Sequence, residues 1–309
     1  MKSIKNIGTE FFGNGSPLFQ PFPLLETLEF DTMLEWKEWK LTGGTSTEFP
    51  CLTRLLLRNC PKLNGNIPLG QLGNLKELHI EKMESVKELG AEFYGSSNST
   101  LVQPFLSLET LCFMNMQEWE EWKLIGGTST EFPSLACLSL HNCPKLKGNI
   151  PGNHPSLTSL SLKFCLQLKG MTPNNLSSLR ELEISECPLL MESRHSDDKS
   201  NIISASPSSD VFSELMISLS SLRKMTLKDI PSLTSFPGDG LPKTLQSLII
   251  WNCEDASQHR LLFLRTVKIM NCGELESVSL GGLPIPNLIH LVVRQCKKLR
   301  SLPEPTNTL

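Results

Sequence analysis

A chain of 309 residues is long enough to bury a large core, and 39% hydrophobic with 20% charged residues is the balance of an ordinary soluble protein. A formal net charge of −3 argues against nucleic-acid or membrane-surface binding driven by electrostatics. No apolar run approaches the roughly eighteen residues of a membrane span, and the opening MKSIKNIGTEFFGNG lacks the apolar stretch of a secretory signal. Either the protein stays in the cytoplasm, which is the expectation, or its true start lies upstream of Met1.

The chain opens inside a duplication. FPLLETLEFDTMLEWKEWKLTGGTSTEFPCLTRLLLRNCPKLNGNIP, from Phe22, returns as FLSLETLCFMNMQEWEEWKLIGGTSTEFPSLACLSLHNCPKLKGNIP, from Phe105. Upstream, MKSIKNIGTEFFG from Met1 returns as MESVKELGAEFYG from Met83. Met83 falls in the middle of a repeat, so residues 1–24 are expected to be a truncated leading part-repeat. With no polar capping unit before Leu25 or after the last repeat, the chain reads as a piece of a longer receptor or a truncated gene product.

A shorter unit lies within the block: L-x-x-L-x-L-x-x-C/N-x-L. Its first leucine falls at Leu25, Leu52, Leu75, Leu108, Leu135, Leu157, Leu179, Leu222, Leu245, Leu264 and Leu288. Alternating leucines are strand periodicity, with leucines inward and the x positions outward. A parallel neighbour cannot be reached by a hairpin, so each strand must turn into a return segment. The Cys or Asn after the strand is expected to point inward at that turn, where an Asn amide could satisfy buried backbone groups. Return segments such as GNIP, SFPGDGLP and LGGLPIP carry proline and glycine, which disfavour long helices. Residues 25–309 are therefore read as one leucine-rich-repeat solenoid of about eleven repeats, in the α/β horseshoe class. It would have a parallel sheet on its concave face and a mostly irregular or 3₁₀ convex side. Residues 192–210, rich in Ser, Asp and Asn without a period, read as a surface loop.

Seven of the ten cysteines, Cys60, Cys143, Cys165, Cys187, Cys253, Cys272 and Cys296, share one repeat position. Side chains stacked in parallel do not face one another as a disulfide requires, so these are expected to be reduced structural thiols. No catalytic or metal-binding constellation emerges. None of the six histidines makes H-E-x-x-H, and the chain has no C-x-x-C, no G-x-S-x-G and no phosphate-cradling G-x-x-x-x-G-K-[ST]. The expectation is a non-enzyme with no cofactor in this chain. His79, His141 and His290 fall on outward strand positions. The sequons at Asn14, Asn98 and Asn175 read as chance matches, and the GGTST stretches at 43–47 and 126–130 as turns. Trp36 and Trp39, repeated as Trp119 and Trp122, read as packing on the convex side rather than as a docking pair.

NCPKL, SLP after the strand, and the block VKELGAEFYG followed by FLSLETLCFMNMQEWEEW resemble the repeat region of plant intracellular nucleotide-binding leucine-rich-repeat immune receptors of the coiled-coil class. The resemblance covers nearly the whole chain. It implies the sensor part of such a receptor, binding a pathogen effector or a guarded host protein and restraining a nucleotide-binding domain not encoded here. Two other readings stay open. LNGNIPLGQLGNL is similar to secreted plant repeats, which would make the chain an extracellular receptor or inhibitor fragment. Repeats with Cys after the strand also occur in substrate adaptors of ubiquitin ligases.

The default partner surface of a solenoid is its concave sheet. Early outward positions carry Glu29, Asp31, Glu77 and Glu81; late ones carry Lys224, Lys228, Lys268 and Arg294 around Ile249, Trp251, Met270 and Val292. An apolar, aromatic centre with a basic rim is the composition of an interface hot spot. These eight late residues are the candidate partner-binding set, for a protein partner with an acidic rim.

Overall fold

The computed structural model describes residues 4–8, 22–40, 49–65, 67, 69–95, 104–123, 131–150, 154–171, 176–190, 215–216, 218–230, 241–253, 264–273 and 287–300. The chain forms two compact units, Met1–Asn174 and Asn175–Leu309. The loop expected at 192–210, the three sequon asparagines and both GGTST stretches lie outside the described residues.

In the first unit, six five-residue strands lie side by side in one parallel sheet: β2 (Thr27–Asp31), β4 (Arg54–Arg58), β5 (Glu77–Glu81), β7 (Thr110–Met114), β9 (Cys137–His141) and β11 (Ser159–Lys163). The second unit has its own five parallel strands: β13 (Glu181–Ser185), β14 (Lys224–Lys228), β15 (Ser247–Trp251), β16 (Thr266–Met270) and β17 (His290–Arg294). Each of these eleven strands falls on one copy of the repeat motif, with Phe, Ile, Val or Met in place of an inward leucine at several rungs, so the leucine-rich-repeat fold read from the sequence is the fold observed. Within each unit the register is straight: β4 meets β5 as Leu55↔Leu78 and Leu57↔Ile80, and β15 meets β16 as Leu248↔Val267 and Ile250↔Ile269. Matching positions of successive strands therefore form columns, and the second and fourth residues form the two inward ones.

Those columns make the core. Leu55, Leu57, Leu78, Leu138, Leu140, Leu182, Ile184, Met225 and Leu227 are buried, as are the motif-opening leucines from Leu52 to Leu264. At about 1.5–3 kcal/mol per large aliphatic, before conformational entropy is subtracted, burial favours stacked rungs over isolated ones. In β2 and β17 the inward residues are only partly covered, and Leu291 is 41% exposed.

The turn after each strand departs from the sequence reading. The residue that follows the strand adopts a left-handed conformation at all eleven rungs, from Thr32 (φ 58°) to Gln295 (φ 56°). Five of these residues are Asn, the type that tolerates this conformation best after Gly. The inward position comes one residue later and never holds Asn. It holds the seven repeat cysteines, with Met33, Met83, Met116 and Ile230 at the other rungs. The asparagines do not serve buried backbone groups. They link neighbouring turns: Asn142 Nδ2 donates to Asn115 Oδ1 (2.7 Å), Asn252 Nδ2 to Asp229 Oδ1 (2.6 Å) and Asn59 Nδ2 to Thr32 Oγ1 (3.3 Å). The left-handed bend also keeps the backbone ladder running one residue past the strand, as in Asn59 N to Glu81 O (2.9 Å).

The return side consists, where described, of short extended pieces and a 3₁₀ turn, as its proline and glycine favour. Short parallel pairs form there: β1 (Asn6–Ile7) with β3 (Glu38–Trp39), β6 (Glu88–Leu89) with β8 (Glu121–Trp122), and β10 (Gly148–Ile150) with β12 (Leu168–Met171). One 3₁₀ turn, Leu69–Gln71, docks on the EFYG block. There the Gly70 N–H donates to Phe93 O, and a β-carbon at Gly70 would lie 2.4 Å from Tyr94 O, so only glycine fits.

Candidate partner-binding surface

The first, third and fifth residues of every strand point away from the core, which leaves three outward columns on each unit's open face. The structure places all eight candidate residues in them. In the second unit the last column reads Lys228, Trp251, Met270, Arg294, and the middle column Thr226, Ile249, Lys268, Val292. Trp251 is 40% exposed, while Ile249, Met270 and Val292 are half-buried by their neighbours. Lys228 Nζ lies 5.8 Å from the centre of the Trp251 ring, a cation–π contact between neighbouring strands. Lys224, at the edge, pairs with Glu181 at 2.7 Å.

Among the described residues no carboxylate lies within ion-pair distance of Lys228, Lys268 or Arg294. The apolar pair Trp251 and Met270 therefore sits between basic side chains along one column.

The first unit differs. Glu29 is held by Arg58 at 2.5 Å and Glu77 by Arg54 at 3.1 Å, each across a strand boundary. The early acidic cluster read from the sequence is thus partly self-neutralised, because adjacent rungs supply arginines that lie 29 and 23 positions away along the chain. His79, between these pairs, has its pKa lowered, first by loss of solvent and then by the Arg54 charge. Further along, His141 Nε2 and Ser161 Oγ lie 2.9 Å apart, in hydrogen-bond contact.

The repeat cysteines are structural. Cys60, Cys143, Cys165, Cys187, Cys253 and Cys272 are buried and Cys296 is half-buried, and all ten cysteines are free thiols. Each repeat thiol donates to the carbonyl two residues back, as in Cys60 Sγ to Arg58 O (3.2 Å) and Cys272 Sγ to Met270 O (3.4 Å). Burial pushes the Cys253 thiol up to about 12 and raises those of Cys60 and Cys272, which opposes thiolate reactivity.

The tryptophans belong to the return side. Trp36 and Trp119 are fully buried, and their indole N–H groups donate to Glu38 O (2.8 Å) and Glu121 O (2.9 Å). Trp119 packs on Phe113 and Trp122 at ring separations of 4.6 and 5.5 Å. The sequence did not show that the EFYG block completes this cluster: Trp122 Nε1 donates to the buried Tyr94 hydroxyl at 2.7 Å. The recurrence of EFFG and EFYG upstream of each EWxxW was the available signal.

Among the described residues, no group of three or more His, Cys, Asp or Glu could hold a metal ion, and no helix is long and apolar enough to cross a membrane.

No protein-family model matches the chain. Disease resistance RPP13-like protein 1 of Arabidopsis thaliana is 40% identical to it over 109 residues, 33% of this chain and 10% of that protein. A second Arabidopsis thaliana disease resistance protein is 31% identical over 134 residues, 43% of this chain and 9% of the relative. The matches thus span about a tenth of the length of these relatives. The chain is a leucine-rich-repeat protein similar, over the matched segments, to plant disease resistance proteins, one of them RPP13-like.

Proposed function

We propose that the chain is the protein-recognising repeat region of an intracellular plant immune receptor, and that the open face of its second unit grips a partner with an acidic rim. The partner would be a pathogen effector or a guarded host protein. A nucleotide-binding domain elsewhere in a longer receptor would be the second partner, held in check by the repeats. One observation carries the site: Lys228, Lys268 and Arg294 have no carboxylate partner among the described residues, yet they flank the exposed Trp251. Unpaired cations around an aromatic anchor favour an incoming carboxylate, and an arginine or tryptophan at such a centre carries much of an interface's energy. The chain itself performs no chemistry on this reading and needs no cofactor.

Selection from a random dodecapeptide library tests the site. The wild-type chain should enrich peptides with Asp or Glu beside an apolar residue, and Trp251→Ala with Arg294→Glu should abolish that enrichment. Undiminished enrichment by the double variant would remove the site. Sequencing the full transcript tests the receptor reading: a G-x-x-x-x-G-K-[ST] module upstream of these repeats is expected, and a secretory signal with a membrane span would favour the extracellular alternative.

A further inference from the structure

The duplication supplies an internal comparison that bears on the first unit. Residues 22–68 and 105–151 align without a gap, and 14 of the 47 positions differ. The differences are not spread evenly. The four inward strand positions are unchanged: Leu28 and Leu111, Phe30 and Phe113, Leu55 and Leu138, Leu57 and Leu140. Of the six outward strand positions five differ, against nine of the other 41. Glu29 becomes Cys112, Asp31 becomes Met114, Arg54 becomes Cys137, Leu56 becomes Ser139, and Arg58 becomes His141.

The changes share a direction. Four of the five remove a formal charge, and the Glu29–Arg58 ion pair of the first copy has Cys112 and His141 in its place. A face that serves only to meet water gains nothing from losing its charges, since charged side chains favour solubility. Loss of charge from a bounded area is instead the composition of an interface centre, where charged residues are depleted and a charged rim remains. That rim is present: Arg54–Glu77 on one side, and Lys76–Glu109 where the strands begin. Cys112 is buried and Met114, Ser139, His141 and Ser161 are half-buried, so a charged group laid over them would lose water; the neighbouring outward charges, Glu81 beside Met114 and Lys163 beside His141, belong to the rim.

We infer that β7, β9 and β11 form a second docking surface, centred on Met114, Ser139 and His141, that accepts an uncharged stretch of a partner protein. This rests on reading the chain as a protein-binding repeat region, and it assigns the two units different partner chemistries.

The test exchanges one copy's face for the other's. A variant with Cys112→Glu, Met114→Asp, Cys137→Arg, Ser139→Leu and His141→Arg carries side chains that the same scaffold already bears at β2 and β4. Wild type and variant are each selected against the random dodecapeptide library. The wild type should enrich a class of uncharged peptides beside the acidic class, and the variant should lose the uncharged class by at least tenfold while keeping the acidic one. Tryptophan fluorescence in urea reports whether the first unit stays folded, since Trp36, Trp39, Trp119 and Trp122 all lie there. If the variant unfolds, the single change Ser139→Glu replaces it, with the same expectation. Undiminished enrichment of uncharged peptides by the variant, or no uncharged class with the wild type, overturns the inference. An acidic class that persists alongside either result leaves the second-unit site standing, and loss of both classes from the wild type overturns both.

Discussion

The two copies of the duplicated passage build matching aromatic clusters that differ in one hydrogen bond. In the first, Phe30, Trp36, Trp39 and Phe49 pack in one tilted and two edge-to-face contacts; in the second, Phe113, Trp119, Trp122 and Phe132 repeat the arrangement. In the second copy the Trp122 indole N–H donates to the Tyr94 hydroxyl, whereas Trp39 Nε1 is buried with no hydrogen-bond partner among the described residues. Phe12 stands in the sequence where the second copy has Tyr94. The shape of the cluster survives without the hydroxyl, so apolar packing sets its geometry and the hydrogen bond adds to it.

That comparison can be broken most severely at the shared tryptophans. Trp119→Ala and Trp36→Ala each empty a fully buried site and should each cost about 3–5 kcal/mol in urea unfolding of the first unit. A much smaller loss for either would show that the two clusters are not equivalent. Tyr94→Phe gives the second copy the residue found in the first and strands a buried indole N–H. It should cost about 1–3 kcal/mol, and a neutral result would mean that the Tyr94–Trp122 bond adds nothing to packing.

Smaller effects separate the two faces. Arg58→Ala removes the Glu29 pair, but both side chains are more than a third exposed. Screening limits the loss to under about 1 kcal/mol, and it should shrink further in high salt. The smallest effect concerns His79, whose pKa lies below the ordinary 6.5 through desolvation and the Arg54 charge. A depressed histidine contributes stability above its unfolded pKa, and that contribution fades as pH falls below about 6.5 toward the folded value. Arg54→Cys, the residue of the second copy, should raise the His79 pKa, as read by NMR titration. An unmoved pKa would assign the shift to burial alone.

The strands and their facing were legible because leucine alternation encodes both, and every outward residue of β2 to β17 could be named from spacing. The turn was misjudged by one residue: Asn59 and Cys60 are adjacent, and only backbone dihedrals reveal that the first bends left-handed while the second turns inward. The small return-side strands escaped because their pairing depends on rungs stacking, and two residues such as Glu88–Leu89 carry no period. Charge pairing on the open face was also hidden, since Glu29 and Arg58 become neighbours only through the register of β2 on β4. The eight candidate residues were found as positions; their chemistry as a site depended on knowing which cations lacked partners.

The straight register has a consequence for how such a chain can change length. Phe22 and Phe105 begin passages that enter the sheet at the same phase and leave it through the same turn. A recombination joining one passage to the other would therefore add or delete whole rungs while every inward residue at the seam still met an inward residue. The backbone tolerates editing in units of its own period, and the outward residues carried on each inserted segment arrive already aligned with those on either side.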